Sequence, residues 1–542
     1  MDPRYAVIAG CVIHALTRGN ILISGIYTRD LQRTSGADIA EIEFAFGVQF
    51  SVFLVMQYVM FIVKSTLSFF TDFRESIENA CIRTLVLKRN VSPNSVLANH
   101  PIEYLLWVFG TVLWLSGYLA SMFYTHDIPS FTTIISLLIG TGSGIVYWLT
   151  CTHIPAIFKD TEYLLGGTLS ERTICLGLMH MAPEVYMILY PLYVRSLPSV
   201  AGESSSLWYE SAKHLTIAGS IILCLCVVAV AHTPLSMEDK EAREAAQSKQ
   251  SREVSASVLF FLYIGAATYQ SAYFVPFVKM NHYVEAEVPT IDSQAIIYMG
   301  IGSVIGRILV TFLMAAQILH VPWRVLLFGF SASMTIMLWV WFGMIQSHNP
   351  FGFAGILIFS TFYGTASSGV QHIILLASSD MRKDGENANS APRQKTRLVI
   401  VSPAEGAKSV TFLPPPSSIS KGRANRTLAR KGSKRQLDPM DEEEQETFLV
   451  RKVNGDVEAA RVEPALKSKR IQTDQASAEI KARAIRIMSR LSFFLFAGSM
   501  LSAILIRLPF ARETGQTFDA GIYAATLSTV STLLCGMVLL VY

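Results

Sequence analysis

The sequence predicts an all-α membrane protein with twelve transmembrane helices in two six-helix bundles. Of its 542 residues, 51% are hydrophobic and 16% are charged, whereas a soluble protein carries about 25% charged residues. Twelve mostly apolar windows reach the length of about 20 residues that a helix needs to cross a bilayer. A charged segment at 236–253 separates the first six windows from the last six.

Each apolar window is predicted to be one membrane span. The first follows Arg4 and is long enough to span, so we expect a retained helix rather than a cleaved signal peptide. The windows lie near 5–27, 44–63, 104–123, 131–152, 173–194, 213–232, 257–278, 294–317, 323–345, 352–377, 488–508 and 519–541.

The distribution of Lys and Arg favours cytoplasmic termini. With both termini inside, the short cytoplasmic segments hold 13 Lys and Arg residues and the external loops hold seven. Positive residues collect in cytoplasmic loops of membrane proteins. The seven assigned to external loops are Arg29, Arg33, Arg195, Lys213, Lys279, Arg507 and Arg512. The sequence does not distinguish the plasma membrane from an internal membrane.

Five parts follow from these windows and the polar segments between them. They are an N-terminal six-helix bundle at 1–232, a cytoplasmic linker at 233–256, helices 7 to 10 of the C-terminal bundle at 257–378, a cytoplasmic loop at 379–487, and helices 11 and 12 at 488–542. The loop has few aromatic residues, so we expect it to be mostly disordered. Its basic run before Ser433 is typical of a kinase site. The loop could therefore bind a kinase or another cytoplasmic partner, or serve only as a tether.

Glycines inside the windows predict close helix packing. Gly302 and Gly306 lie four residues apart in the eighth window, and Gly142 and Gly144 lie in the fourth. Glycine at this spacing lets helices approach closely in lipid. A dinucleotide-binding loop has similar glycines but must follow a strand, so we expect no nucleotide cofactor.

Charged residues deep in the windows are the strongest functional signal. Arg18, Glu184 and Arg307 lie well inside predicted spans, and His14 and His180 lie one turn before Arg18 and Glu184. A charge at the bilayer centre costs about 2.5–3.5 kcal/mol on insertion scales, so it normally faces a cavity or a partner. We expect these side chains to bind substrate or couple transport to an ion. Alternatively, Arg18 and Glu184 form a structural pair, and Arg307 reaches toward lipid head groups.

Two tyrosines in the seventh window are further candidates for solute binding. Tyr269 and Tyr273 are four residues apart and share a helix face. Their hydroxyls would suit a small polar or amphipathic solute in a central cavity. An aromatic belt or simple packing is the alternative.

These features together resemble the major facilitator superfamily. The first half resembles nodulin-like transporters, and the second half is also similar to monocarboxylate transporters. The matching motifs are Gly25-Ile-Tyr27 before Leu31-Gln32, Gly117-Tyr118, Gly142-x-Gly144-x-x-Tyr147, Tyr273-Phe-Val-Pro276 and Gly302-Ser303-x-x-Gly306-Arg307. The resemblance implies two bundles that alternate access to a site between them. It covers the spans and not the loop at 379–487.

Two departures from these families affect the expected mechanism. Ser303 stands where proton-coupled monocarboxylate carriers place an aspartate one turn before the arginine of span 8. Their span 1 lysine has no counterpart, and the nearest cation is Arg18. Lactate-type proton symport is therefore not implied.

The sequence predicts a secondary active transporter for a small organic anion or amphipathic metabolite. Proton coupling stays open. One alternative is an exporter of a metal cation or cationic metabolite, with His14, His180 and Glu184 as ligands. Another is a non-transporting receptor or scaffold that works through 379–487. No nucleophile–base pair, cofactor motif or resident metal site is recognised, so we do not expect an enzyme. The net charge of +4 gives no reason to expect nucleic-acid binding.

Overall fold

Helices form almost all of the structure, which is a computed structural model. The described residues are 3–69, 101–154, 157, 163–164, 169–196, 206–231, 256–287, 293–315, 322–346, 352–380, 490–491, 493–504 and 515–541. Among them, eleven helices are long and apolar enough to cross a membrane, and the shorter apolar helix Phe493–Ile504 falls in the predicted eleventh window. The predicted all-α membrane fold is confirmed.

The N-terminal half contains spans 1 to 6, which pack mainly against one another. Its helices are Pro3–His14, Asn20–Leu22 and Thr28–Ser35 in span 1 and its extension, Ile39–Phe69 in span 2, Pro101–Ser121 in span 3, Ile128–Ile134 and Thr141–His153 in span 4, Glu171–Arg195 in span 5, and Leu207–His214 and Ser220–Ala231 in span 6. Between spans 4 and 5, strands Tyr163–Leu164 and Leu169–Ser170 pair antiparallel, with Tyr163 opposite Ser170.

The C-terminal half contains spans 7 to 10 and the last span. Its helices are Ala256–Tyr273 and Val275–Glu287 in span 7, Gln294–Ala315 in span 8, Trp323–Gln346 in span 9, Gly352–Asp380 in span 10 and Gly515–Val541 in the last span. Span 8 packs on span 10, and the last span packs on spans 7 and 9. Span 7 is interrupted next to Pro276, which lacks the N–H that would continue the helical hydrogen bonds.

Several pairs of described helices bring the two halves into contact. Span 5 packs against span 8, and the start of the Val275–Glu287 helix packs on the 3₁₀ turn Ser24–Tyr27 at the end of span 1. A Cβ atom added to Gly47 in span 2 would lie 2.9 Å from the Cβ of Ala503, so span 2 lies close to the helix Phe493–Ile504. Spans 1, 2, 5, 7 and 8 and the helix Phe493–Ile504 therefore line the interface between the halves.

A π-helical turn at Ala15–Gly19 interrupts the α-helix of span 1. Similar turns occupy Ile135–Gly140 in span 4 and Leu215–Gly219 in span 6. Single π-helical turns inside α-helices are frequent at functional sites. The turn in span 1 contains Arg18, the charged residue that the sequence places deepest in that span.

One residue predicted to lie in a loop is found inside a helix, and two predicted segments lie almost wholly outside the described residues. Lys279, assigned to an external loop, lies within the Val275–Glu287 helix and is only 1% exposed. The helix continues beyond the apolar window, so the end of the window did not mark the end of the buried segment. The predicted linker at 233–256 and loop at 379–487 lie almost wholly outside the described residues.

Candidate functional site

Three buried charges meet where the two halves face each other. Arg18 comes from span 1, Glu184 from span 5 and Arg307 from span 8, and none of the three is more than 3% exposed. Their side chains therefore point into the protein and not toward lipid. Together with Gln371 of span 10 they form what we call the central cluster.

Arg307 and Glu184 form an ion pair between the halves. Arg307 Nη2 donates to Glu184 Oε1 at 2.5 Å, and both side chains are 1% exposed. The alternative in which Arg307 extends to lipid head groups is therefore wrong. The alternative that paired Glu184 with Arg18 is also wrong, because the carboxylate accepts its hydrogen bond from Arg307.

Gln371 connects the two arginines. Its amide oxygen Oε1 accepts a hydrogen bond from Arg18 Nη2 and another from Arg307 Nη2 at 3.0 Å. One neutral oxygen thus lies between guanidinium groups that belong to different halves. A carboxylate or phosphate oxygen at this position would accept the same two hydrogen bonds with full charge assistance.

The remaining contacts of Arg18 are phenol oxygens from both halves. Its Nη1 donates to the hydroxyl of Tyr147 in span 4, and its Nη2 donates to the hydroxyl of Tyr273 in span 7, both at 3.4 Å. Tyr269, one turn before Tyr273, donates to the carbonyl oxygen of Ser367 at 2.6 Å. Tyr273 therefore contacts the central cluster directly, and Tyr269 braces span 7 against span 10.

The central cluster has unused hydrogen-bonding capacity. Arg307 Nε and Nη1 and Glu184 Oε2 are buried and have no hydrogen-bond partner within the described part of the chain. Buried polar atoms are normally paired. Two donors and one acceptor are thus free to bind a solute or water next to Gln371.

His14 lies where a proline frees a backbone carbonyl. Pro183 lies inside the span 5 helix, and a proline cannot donate to the carbonyl four residues earlier. That carbonyl belongs to Met179, and His14 Nδ1 lies 3.0 Å from its oxygen. Because a carbonyl only accepts, His14 Nδ1 carries the hydrogen.

His180 joins the same group of side chains. Its Nδ1 lies 2.9 Å from the hydroxyl of Tyr147, and the ring of His14 stacks on Tyr147 with centroids 4.2 Å apart. His14 Nε2 in turn lies 3.5 Å from the Sγ atom of Cys151. The two predicted histidines are thus neighbours, and Tyr147 links them to Arg18.

A second buried ion pair joins the halves away from the central cluster. Lys279 of span 7 contacts Glu43 at the start of span 2, and their side chains are 1% and 0% exposed. Lys279 lies six residues beyond Tyr273, about 9 Å along a helix. Gly25 packs beside it, since a Cβ there would lie 2.5 Å from the carbonyl oxygen of Phe277. Spans 1, 2 and 7 are therefore in direct contact at this position.

The predicted packing glycines all lie at helix contacts. A Cβ on Gly142 would lie 2.6 Å from backbone atoms of span 3, and one on Gly144 would lie 2.7 Å from the carbonyl oxygen of Phe53 in span 2. On Gly302 and Gly306 it would clash with carbonyl oxygens of span 10. Span 8 is therefore held close enough to span 10 for Arg307 to reach Gln371.

Five residues of these sites were not predicted as site residues: Gln371, Glu43, Lys279, Cys151 and Tyr147, the last of which was named only within a family motif. Gln371 follows Ser367 and Ser368 in an apolar window, a polar signal that could have identified it. Glu43 and Lys279 each lie one residue outside a predicted window. Glu43 precedes the second window and Lys279 follows the seventh, so both are expected on the same side of the membrane. Their opposite charges were the signal that could have identified the pair. Cys151 could be recognised only once spans 1, 4 and 5 were placed side by side.

Comparison with known proteins gives structural matches only. No protein-family model matches the sequence, and no curated protein matches it. One similar structure is a D-xylose–proton symporter, with a TM-score of 0.46 at 12% identity over 71% of this chain and 84% of that chain. Another is the xylose transporter XylE from E. coli in a partially occluded inward-open conformation, with a TM-score of 0.47 at 11% identity over 70% and 85%.

A further similar structure is that of XylE, a major facilitator superfamily proton:xylose symporter, bound to 6-bromo-6-deoxy-D-glucose. Its TM-score is 0.44 at 12% identity over 71% of this chain and 83% of that chain. Similarity at this level says nothing about the solute. The function is therefore argued from the residues of the central cluster.

Proposed function

We propose that the protein is a secondary active transporter of the major facilitator type that carries a small organic anion or an amphipathic acid. The two halves would rock about the central cluster and expose it to each side of the membrane in turn. The termini are expected in the cytoplasm, as the loop charges predict.

The observation that carries this proposal is the position of Gln371 Oε1 between Arg18 and Arg307. The two guanidiniums come from different halves, so a ligand bound to both would link the halves as they move. An anionic oxygen that displaces the amide oxygen gains two charge-assisted hydrogen bonds, which are about twice as strong as neutral ones. Binding an anion there would favour a closed state around it.

The charge of the central cluster selects an anion over a cation. Two arginines and one glutamate leave a net charge of +1 in a buried environment, where Coulomb interactions are stronger than in water. A cationic metabolite would be repelled. The free donors of Arg307 also suit an acceptor ligand. Export of a metal cation or cationic metabolite through the central cluster is therefore the weaker alternative.

Glu184 offers a route to proton coupling. When a solute anion binds Arg307, the carboxylate of Glu184 loses its counter-charge. An unpaired buried carboxylate is costly, and the group avoids that cost by taking up a proton. One anion and one proton would then cross together, and release of the proton would restore the Glu184–Arg307 pair.

The carboxylate partner of Arg307 comes from a different span than in proton-coupled monocarboxylate carriers. Ser303, which replaces the aspartate of proton-coupled monocarboxylate carriers, donates to the carbonyl oxygen of Gly364 at 3.3 Å. We propose that Glu184 of span 5 supplies the carboxylate partner of the span 8 arginine instead. The motif residues Tyr147 and Tyr273, which contact Arg18, support a relationship to the nodulin-like and monocarboxylate branches.

The receptor or scaffold alternative depends on the loop at 379–487. No described residue argues for it. Deleting the loop separates the two functions, because a transporter should keep its flux whereas a scaffold should lose its partner. A partner or kinase acting on the loop stays a prediction from the sequence.

The transport proposal is tested with purified protein in liposomes. Radiolabelled monocarboxylates, dicarboxylates, amino acids, neutral sugars and organic cations are offered with and without an inward proton gradient. Thermal shift assays with the same compounds and with divalent metals measure binding alone. We expect uptake and stabilisation by at least one class of organic acid. Uptake of only neutral sugars or cations would contradict the proposal.

A further inference from the structure

Three side chains with metal-ligating atoms converge beside the central cluster. His14 of span 1, Cys151 of span 4 and His180 of span 5 offer ligand atoms that all lie within 4.8 Å of one another. Both histidines are buried and the cysteine is partly buried. All three belong to the N-terminal half, so the group stays together when the halves move.

The spacing of His14 and Cys151 already matches a metal site. His14 Nε2 and Cys151 Sγ are 3.5 Å apart. Bonds of about 2.0–2.1 Å to nitrogen and 2.3 Å to sulfur at a tetrahedral angle place two such ligand atoms about 3.6 Å apart. The ligand atom of His180 lies within 4.8 Å of the other two, so completing a three-ligand site needs a shift of at most about 1 Å, which a side-chain rotation can supply.

The hydrogen bonds around the histidines orient them for this role. His14 Nδ1 donates to the Met179 carbonyl that Pro183 leaves free. In the neutral ring this places the lone pair on Nε2, the atom that faces Cys151. A backbone carbonyl on the second ring nitrogen is the usual support of a metal-binding histidine. His180 contacts the hydroxyl of Tyr147 through Nδ1. In the tautomer whose Nδ1 donates to that hydroxyl, the lone pair lies on Nε2, where it can bind an ion.

The surrounding charge decides which kind of ion fits. Arg18 lies one turn from His14, and Glu184, which pairs with Arg307 through Oε1, is not among the side chains whose ligand atoms converge. A divalent ion with one thiolate adds a charge of +1 next to the arginines. A monovalent ion with one thiolate adds none. Thiolate and imidazole ligands suit Cu(I).

We propose that His14, Cys151 and His180 form a binding site for a single monovalent thiophilic metal ion, Cu(I), separate from the anion site of the central cluster. Glu184, which the sequence suggested as a ligand, takes no part. On binding, the thiol of Cys151 releases its proton to solvent and the sulfur bonds to the ion. No electron is transferred, because the ion arrives as Cu(I).

Cu(I) titration of the purified full-length protein in detergent tests this site. The titration is anaerobic, in reductant, and uses a Cu(I)-selective chelator as competitor. We expect the wild-type protein to withhold one equivalent of Cu(I) from the chelator. Cys151→Ser and His14→Gln should each weaken this binding by at least tenfold. Cys535→Ser, which alters a buried cysteine in the last span, is the matched control and should bind as the wild type does.

Two results would overturn the proposal. Undiminished Cu(I) binding by Cys151→Ser would remove the site, and this near-isosteric variant decides the matter even if His14→Gln does not fold. Equal or tighter binding of Zn²⁺ at the same residues would overturn the assignment to a monovalent ion. Neither result bears on anion transport, so the transport proposal stands or falls separately.

Discussion

Glu184 in span 5 accepts a 2.5 Å hydrogen bond from Arg307 in span 8, across the interface between the two halves. Both side chains are buried, so the ion pair forms only while spans 5 and 8 keep this relative position. In the proposed mechanism, a solute that competes for Arg307 acts on Glu184 at the same time. This single contact would then link solute binding to proton uptake.

Replacing Glu184 by glutamine should uncouple transport from protons. The amide keeps a hydrogen-bond acceptor for Arg307 but cannot take up a proton. We expect net uptake driven by a proton gradient to fall by at least tenfold, while exchange of internal for external anion continues. Paired uptake and exchange assays in liposomes measure both. Glu210→Gln, which alters a carboxylate paired with Lys213, serves as control. Full gradient-driven uptake by Glu184→Gln would rule out this coupling residue.

Replacing Gln371 by glutamate should imitate a bound anion. The new carboxylate would sit between Arg18 and Arg307, where each charged hydrogen bond contributes about 1.5–3 kcal/mol. We expect a higher melting temperature, no uptake, and no further stabilisation by the organic acids that stabilise the wild type. Thermal shift and uptake assays on the same preparation record these effects. Gln270 is buried in span 7 one turn before the helix break at Phe274. Gln270→Glu therefore tests whether any buried carboxylate has the same effect, and we expect it to destabilise the protein instead.

The Glu43–Lys279 pair should tolerate the loss of both charges better than the loss of one. Lys279→Met leaves a buried carboxylate without its partner, which costs about 3–5 kcal/mol. The double variant Glu43→Gln, Lys279→Met removes both charges and should recover most of that loss. Thermal unfolding in detergent gives the melting temperatures of the wild type, Lys279→Met and the double variant. If the double variant were no more stable than Lys279→Met, the buried pair would not be the source of the cost.

Two glycine variants should differ in their effect on stability. In Gly142→Ala the new methyl group would lie 2.6 Å from backbone atoms of span 3, and overpacking of this kind costs about 1–3 kcal/mol. Gly343→Ala in span 9 is the matched control. No described atom lies within 4 Å of its added Cβ, and alanine is favoured over glycine in a helix by about 1 kcal/mol. We expect a lower melting temperature for the first variant and an unchanged or higher one for the second.

Much of the fold could be predicted because the bilayer imposes its own length scale. Each of the eleven long apolar helices overlaps a predicted window, since each span must cover about 30 Å of hydrocarbon. The helix ends were less well predicted, because helices such as Val275–Glu287 continue past the apolar run. The same reasoning identified Arg18, Glu184 and Arg307 as buried, because a charge facing lipid is too costly to retain.

The pairing of these charges could not be predicted in the same way. Hydropathy places a residue along the membrane normal, but it does not say which spans are neighbours. Arg18 and Glu184 lie at similar depth in the same half, yet Glu184 pairs with Arg307 in the other half. Gln371 was missed for a related reason. An uncharged amide in an apolar window costs much less than a charge, so it did not stand out before its partners Arg18 and Arg307 were known. Lys279 was misplaced because its helix extends past the apolar run.

Anion uptake by Arg307→Ala tests the role of the central cluster most directly. In liposomes, the variant should take up the organic acid preferred by the wild type at least tenfold more slowly, because truncating one partner of a buried charged contact costs about 2–5 kcal/mol. Arg324→Ala, at the start of span 9, controls for the loss of a positive charge and should transport normally. Normal uptake by Arg307→Ala, at equal amounts of folded protein, would contradict the anion-binding role of the two buried arginines.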